Sequence, residues 1–183
     1  MYASDRAQRY TRTAIVLHWL IAGIVVAQIA LGWWMQEIPK DPVGPRVNAY
    51  NLHKSIGLTV MALMVIRLAW RATHAPPRQL AMPAWQASAA RWNHGLLYAC
   101  LLVQPLTGYV GSAVSGYPVR YFGIVLPAWA LKSVPLKDAL SVAHQVTSWI
   151  LVAAIVLHVA AAIKHQWIDR DDLMQRMGWP RAG

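Results

Sequence analysis

Charge is scarce in this chain, and acid is scarcest. Of 183 residues, Asp and Glu supply 7, Lys and Arg 17, and the charged types together 13%. An ordinary soluble domain carries about 25% charged residues, so a normal water-facing surface is missing. A disordered chain is charge-rich and apolar-poor; this one is 57% hydrophobic, which excludes that class. Cys100 is the only cysteine, so a disulfide scaffold is excluded, as are cysteine-ligated iron–sulfur and structural zinc sites. No P-loop, GxGxxG motif, C-x-x-C-H motif or internal repeat occurs. The length allows one domain, and its apolar surface must face either a core or a bilayer.

What is present decides for the bilayer. A membrane span needs about 20 mostly apolar residues. Thr13 to Met35, Trp92 to Val114 and Ala139 to Ile163 contain no Asp, Glu, Lys or Arg. Asn51 to Trp70 is also apolar, with Lys54 and Arg67 near its ends, where long basic side chains snorkel to the headgroups. Trp33, Trp34, Trp70, Trp92 and Tyr50 fall near the ends of these runs, as interfacial aromatics do. Pro105 predicts a kink that a bundle tolerates, and Gly57, Gly108 and Gly111 allow close approach of helices or a flat ligand. The first run follows Arg6, Arg9 and Arg12 but is too long for a signal-peptide core, and no clean small-x-small cleavage site follows it, so it reads as a helix. Tyr121 to Leu131 is short and broken by Pro127, and reads as an interfacial loop segment. The expected fold is all-α: an integral membrane four-helix bundle, up-down-up-down. Helices are expected over about 13–35, 51–70, 92–114 and 139–163, in one domain spanning 1–183, with a cytoplasmic tail at 164–183.

Orientation follows from the basic residues. With the N-terminus inside, the inner segments hold Arg6, Arg9, Arg12, Arg67, Arg71, Arg78, Arg91, Lys164, Arg170, Arg176 and Arg181. The outer segments hold Lys40, Arg46, Lys54, Arg120, Lys132 and Lys137, so the count is 11 against 6. The positive-inside rule then puts both termini in the cytoplasm. The basic charge is accounted for by topology, leaving no basic soluble face for nucleic acid.

Seven histidines sort by depth. His18 and His158 each lie five residues from the cytoplasmic end of their runs. His53 and His144 each lie just inside the outer end. The up-down order therefore pairs His18 with His158 and His53 with His144. His144 and His158 are 14 residues apart, which brings them within about 40° of one helical face and about 21 Å apart along the axis. Histidine inside a span is costly without a task. Two depth-matched pairs fit two stacked haems, each clamped between facing helices of a bundle. Haem suits the pairs better than zinc, and the missing C-x-x-C-H motif makes it non-covalent haem b.

The remaining polar residues read less sharply. His94 and His165 sit near the cytoplasmic rim; either suits a quinone carbonyl, though for His94 facing the headgroups is the plainer reading. His74 lies in a Pro-rich inner loop and reads as solvated. Arg67 and Arg71, one turn apart, suit haem propionates or simple interfacial anchoring. Lys54 follows His53. With the other outer cations it would draw in a small anion such as superoxide, although lipid headgroups suit each of these residues singly as well.

These residues taken together resemble the bacterial cytochrome b561 family, within a wider group that includes hydrogenase cytochrome b subunits. The likeness runs through Tyr10-Thr11-Arg12-Thr13, Leu17-His18-Trp19, and Leu52-His53-Lys54-Ser55-Ile56-Gly57. It continues in the Arg67/Arg71 pair, Arg91-Trp92-Asn93-His94, Ala143-His144, Leu157-His158 and His165. The resemblance implies four helices and two b haems, one on His18 and His158, the other on His53 and His144. Stand-alone members are linked to superoxide oxidation outside and ubiquinone reduction inside, and His165 matches the position associated with the quinone pocket. Lys occurs after the second-helix His in several branches, so Lys54 does not settle the subfamily. The outer loop from Ser115 to Lys137 matches the family poorly.

The expected activity is a transmembrane electron conduit in the bacterial inner membrane, a superoxide:ubiquinone oxidoreductase with Lys54 at its outer entrance. The alternative is a haem b anchor subunit fed by a partner dehydrogenase, hydrogenase or periplasmic cytochrome. A histidine-lined metal or proton transporter would place acids within the spans, and all seven lie outside them.

Overall fold

A bilayer offers no water to backbone amides, so a chain crossing it must satisfy them internally, and helices do so. The computed structural model describes residues 9–78, 82–171 and 173–178. Four long helices dominate: α1 (Arg12–Glu37), α2 (Val43–Thr73), α3 (Ala84–Ala113) and α4 (Val134–Ile163). All four are long and apolar enough to cross a membrane. Their outward faces carry Val16, Val26, Val65, Val142 and Val156, each more than half exposed, as suits side chains that meet lipid.

The helices start where local chemistry allows. Thr11 caps α1, its Oγ1 accepting from the Ala14 amide at 3.3 Å. Pro42 and Pro83 immediately precede α2 and α3, and α4 carries Pro135 in its first turn, positions where proline's missing N–H costs no helical bond. Three helices begin earlier than expected: α2 at Val43 rather than Asn51, α3 at Ala84 rather than Trp92, and α4 at Val134 rather than Ala139. The added turns hold Arg46, Arg91 and Lys137. A search for uncharged runs finds the part of a helix inside hydrocarbon, whereas the helix itself continues into the aqueous rim. α3 runs unbroken through Pro105.

The expected loop segment near Tyr121 holds a two-stranded antiparallel hairpin, β1 (Arg120–Tyr121) against β2 (Ile124–Val125). Phe122 and Gly123 turn it, with φ of 45° and 92°, the positive values that match strand twist in tight hairpins. After α4 comes a π-helical turn over Lys164–Asp169, then a 3₁₀ turn over Met174–Met177. The stretch expected as a tail packs against the bundle as far as Gly178. The Tyr10 amide donates to the Arg176 carbonyl, and Trp19 Nε1 donates to the Met177 carbonyl at 2.9 Å. Arg6 and Arg181 of the inner basic set lie outside the described residues.

α1 packs on α2, α2 on α3 and α3 on α4. One small cluster lies at mid-height: Ile21 and Val25 of α1, Val60 and Met64 of α2, Cys100 of α3 and Leu151 of α4. Met64 is wholly buried, its flexible thioether filling the gap where four helices meet. Lipid is as apolar as leucine, so this layer holds by contact rather than by exclusion of water. Met64→Ala should therefore cost mainly the cavity it leaves, about 2 kcal/mol, the lower end for such truncations. Loss of helical circular dichroism under detergent titration would measure it.

Candidate functional site

A helix turns about 100° per residue, so a step of seven falls about 20° short of two full turns. On α4 and its π-helical extension His144, Leu151, His158 and His165 succeed one another by sevens. On α1 the same step joins His18, Val25 and Gly32; on α2 it joins His53, Val60 and Arg67. Each helix thus presents one inward stripe, with Val25, Val60 and Leu151 separating two polar levels.

At the inner level the rings of His18 and His158 stand 6.1 Å apart, centroid to centroid, at 71° to one another. Arg67 donates through Nη1 to His18 Nδ1 at 3.0 Å and through Nε to the Tyr98 hydroxyl at 3.3 Å. The guanidinium carbons of Arg67 and Arg71 lie 5.6 and 5.7 Å from the Tyr98 ring centre. Among the described residues neither arginine has a carboxylate partner. His94, read from sequence as facing headgroups, keeps an exposed edge but packs its ring 5.3 Å from that of His158. The longer α3 explains the difference, since His94 sits well inside the helix rather than at its start. His74 stacks flat on Trp70 at 3.8 Å.

At the outer level the His53 and His144 rings stand 6.3 Å apart at 74°. His144 Nδ1 lies 3.0 Å from the Gln104 carbonyl and 3.1 Å from Thr107 Oγ1. A carbonyl only accepts, so Nδ1 carries the proton and Nε2 keeps its lone pair. His53 Nδ1 is buried without a hydrogen-bond partner. Two glycines make room for the rings. A Cβ on Gly32 would stand 3.2 Å from His53 Cε1, and one on Gly108 would stand 3.3 Å from His144 Cε1. Gly108 was expected to allow close approach; Gly32 was not, although its seven-residue step from Val25 marks it.

Both pairs suit a metal held from opposite sides. Imidazole nitrogens bind such ions at about 2 Å each, which puts the two ring centres about 6 Å apart. The hydrogen bond from His144 Nδ1 to a backbone carbonyl is the second contact that orients metal-binding histidines. At the outer level the buried His53 nitrogen is left without a partner, and at the inner level two arginines without acids among the described residues suit an anionic group.

The outer end is closed by the hairpin. Ser55 Oγ accepts from the Phe122 amide at 2.9 Å, and Thr59 Oγ1 lies 3.2 Å from the Tyr121 hydroxyl. A cleft of about 470 Å³ opens beside it, lined by Asn48, Asn51, Ser55, Arg120 and Phe122 among others. Lys54 is half-buried next to His53 and has no ion pair among the described residues. Arg46 is committed elsewhere: it donates to the Gln36 and Ile38 carbonyls and to the Tyr50 hydroxyl, stapling the α1–α2 turn. Lys137 pairs with Asp138.

At the opposite end of the bundle His165 Nδ1 lies 2.6 Å from Asp171 Oδ2 and 3.4 Å from Asp169 Oδ2, and Lys164 pairs with Asp169. The sequence pointed to His165 but not to these acids, because their approach depends on the π-helical turn and a chain reversal at Arg170.

A sequence model of a family described as prokaryotic cytochrome b561 matches residues 9–180. The chain is 35% identical to cytochrome b561 homolog 2 of Escherichia coli (strain K12), over 97% of this chain and 95% of that protein. It is 28% identical to cytochrome b562 of Cereibacter sphaeroides, over 94% and 96%. It is 23% identical to the probable superoxide oxidase CybB of Yersinia pestis, over 93% and 96%. Gly108→Leu should push the His144 ring aside and lower bound haem per chain; pyridine haemochrome per mole of protein measures the loss.

Proposed function

The chain belongs to the prokaryotic cytochrome b561 family, and from that membership we propose that it oxidises superoxide outside the membrane and reduces ubiquinone inside. The family places it among multi-pass bacterial membrane proteins that bind b-type haem and carry electrons across the bilayer. The finer reading has two b haems, one on His18 and His158, the other on His53 and His144, in a protein of the inner membrane with both termini cytoplasmic. The observation that carries it is the pair of imidazole clamps, 6.1 and 6.3 Å across, both drawn from one stripe of α4. Bound in them, haem b would supply one-electron redox chemistry.

The residues do the rest. Gln104 holds His144 in the tautomer with Nε2 free. Gly32 and Gly108 leave the space a side chain would fill. Val25, Val60, Met64 and Leu151 exclude water between the levels. Once His18 Nε2 is committed to a metal, its Nδ1 carries a proton. Arg67, a donor only, must then turn to an acceptor, and with Arg71 it suits the propionates. Outside, Lys54 beside His53 and Arg120 at the cleft raise the local concentration of a small anion. Inside, His165 lies on the same stripe seven residues beyond His158 and faces the quinone. The overall balance is two superoxides giving two dioxygens, with one quinone and two cytoplasmic protons giving one quinol. The resemblance to a probable superoxide oxidase supports this donor.

Two measurements test the reading. Pyridine haemochrome should give two haems per wild-type chain and one for His158→Ala, or an unstable protein, since a lost cofactor takes its binding contribution to folding with it. In pulse radiolysis the purified protein should speed superoxide decay and generate quinol when ubiquinone is present. Superoxide decay no faster than in buffer, alongside quinone reduction from another donor, would leave the haem subunit fed by a partner protein in its place.

A further inference from the structure

The π-helical turn after α4 does more than end a helix. It keeps His165 on the stripe of His144, Leu151 and His158, about 10 Å farther along the axis than His158. Its end is closed by the His165 carbonyl, which accepts from the Arg170 and Asp171 amides. Arg170 takes a left-handed conformation, φ 50°, uncommon for a residue with a side chain, and the chain doubles back. That reversal brings Asp171 over the His165 ring. Both carboxylate oxygens are used: Oδ1 accepts from the Leu173 amide at 3.0 Å, and Oδ2 accepts from His165 Nδ1 at 2.6 Å. A carboxylate only accepts, so the proton is on Nδ1 and Nε2 is the nitrogen left for a substrate. His165 is the more enclosed partner, its side chain 14% exposed against 30% for Asp171. Asp169, held in turn by Lys164, offers a second carboxylate at 3.4 Å. These three residues bring ligand-type atoms within 4.8 Å of one another, but Lys164 already supplies the cation that Asp169 calls for.

We infer that Asp171 is the positioning residue that makes His165 the proton donor to the quinone at the cytoplasmic end. The inference rests on the proposed reduction of ubiquinone there. Asp171 fixes the ring by its Nδ1–H, as a buried aspartate orients the histidine of a hydrolase triad. The imidazolium donates from Nε2 to a quinone carbonyl oxygen. As an electron reaches the quinone, the Nε2–H bond breaks and an O–H bond forms. Cytoplasmic water reprotonates Nε2, and a second electron and proton complete the quinol. A positioned general acid contributes rate in this way.

Asp171→Asn separates this role from a structural one. The asparagine oxygen can keep the Leu173 bond, which leaves its NH₂ facing His165 Nδ1 and moves the imidazole proton to Nε2. In the haem-loaded protein with a short-chain ubiquinone, kcat for quinol formation should fall on the order of a hundredfold, with KM nearly unchanged. Haem content and superoxide-driven haem reduction should stay at wild-type levels. The ¹⁵N shifts of His165 should report the exchanged tautomer, and Asp171→Glu, which retains a carboxylate, should recover most of the rate. An Asp171→Asn protein that turns over quinone at the wild-type rate overturns the inference, as does an unchanged tautomer or a fall in rate that Asp171→Glu shares in full. Wild-type protein that makes no quinol at all would instead overturn the function on which the inference rests.

Discussion

An imidazole in hydrocarbon is stable only when something takes its lone pair and its proton, and this protein brings four of them together in two facing pairs on a single repeating step. Sevens on α4 bring His144 and His158 to the same side of the helix, and sevens on α1 and α2 bring His18 and His53 to meet them. The rest of the interior follows from that register. The position midway between the two α4 histidines must be apolar, and it is Leu151, in one cluster with Val25, Val60 and Met64. The positions beside the outer rings must be small, and they are Gly32 and Gly108. Lipid gives no hydrophobic push toward association, so a bound flat group between facing helices would also supply much of the contact that holds the bundle together.

The two ends of the bundle solve different problems. Outside, a hairpin too short to be a domain closes over α2 through Ser55 and Thr59 and leaves a cleft edged by Arg120. Part of the outer positive charge is used for structure, as Arg46 shows by stapling a turn, so the cations open to an anion are fewer than the composition suggests. Inside, Arg67 and Arg71 crowd around Tyr98 with no acid beside them among the described residues, while Asp169 and Asp171 gather around His165 and Lys164. Separating bare cations from paired ones over so short a distance suits an anionic cofactor edge on one hand and a proton-handling site on the other.

The likeness to cytochrome b561 homologs covers nearly the whole chain, which fits a molecule whose helices all contribute to one interior. The likeness to a probable superoxide oxidase is more distant and also runs over nearly the whole chain.

The four spans, their alternation and the pairing of histidines by depth were legible in the residues themselves. Hydrophobic length and helical period are local properties, and a bilayer leaves a chain few other ways to satisfy its backbone. Helix ends were less legible, because α2, α3 and α4 run on through charged turns beyond the hydrocarbon. Other features came only with the tertiary structure. Gly32 lies against His53, His94 against His158, and Asp171 on His165. Each depends on how two segments approach: a crossing of helices, a helix that starts early, a π-helical turn followed by a left-handed residue. Sequence period says which side of a helix a residue occupies. Only the packing of one helix on another, and the path of the chain between them, says what stands opposite.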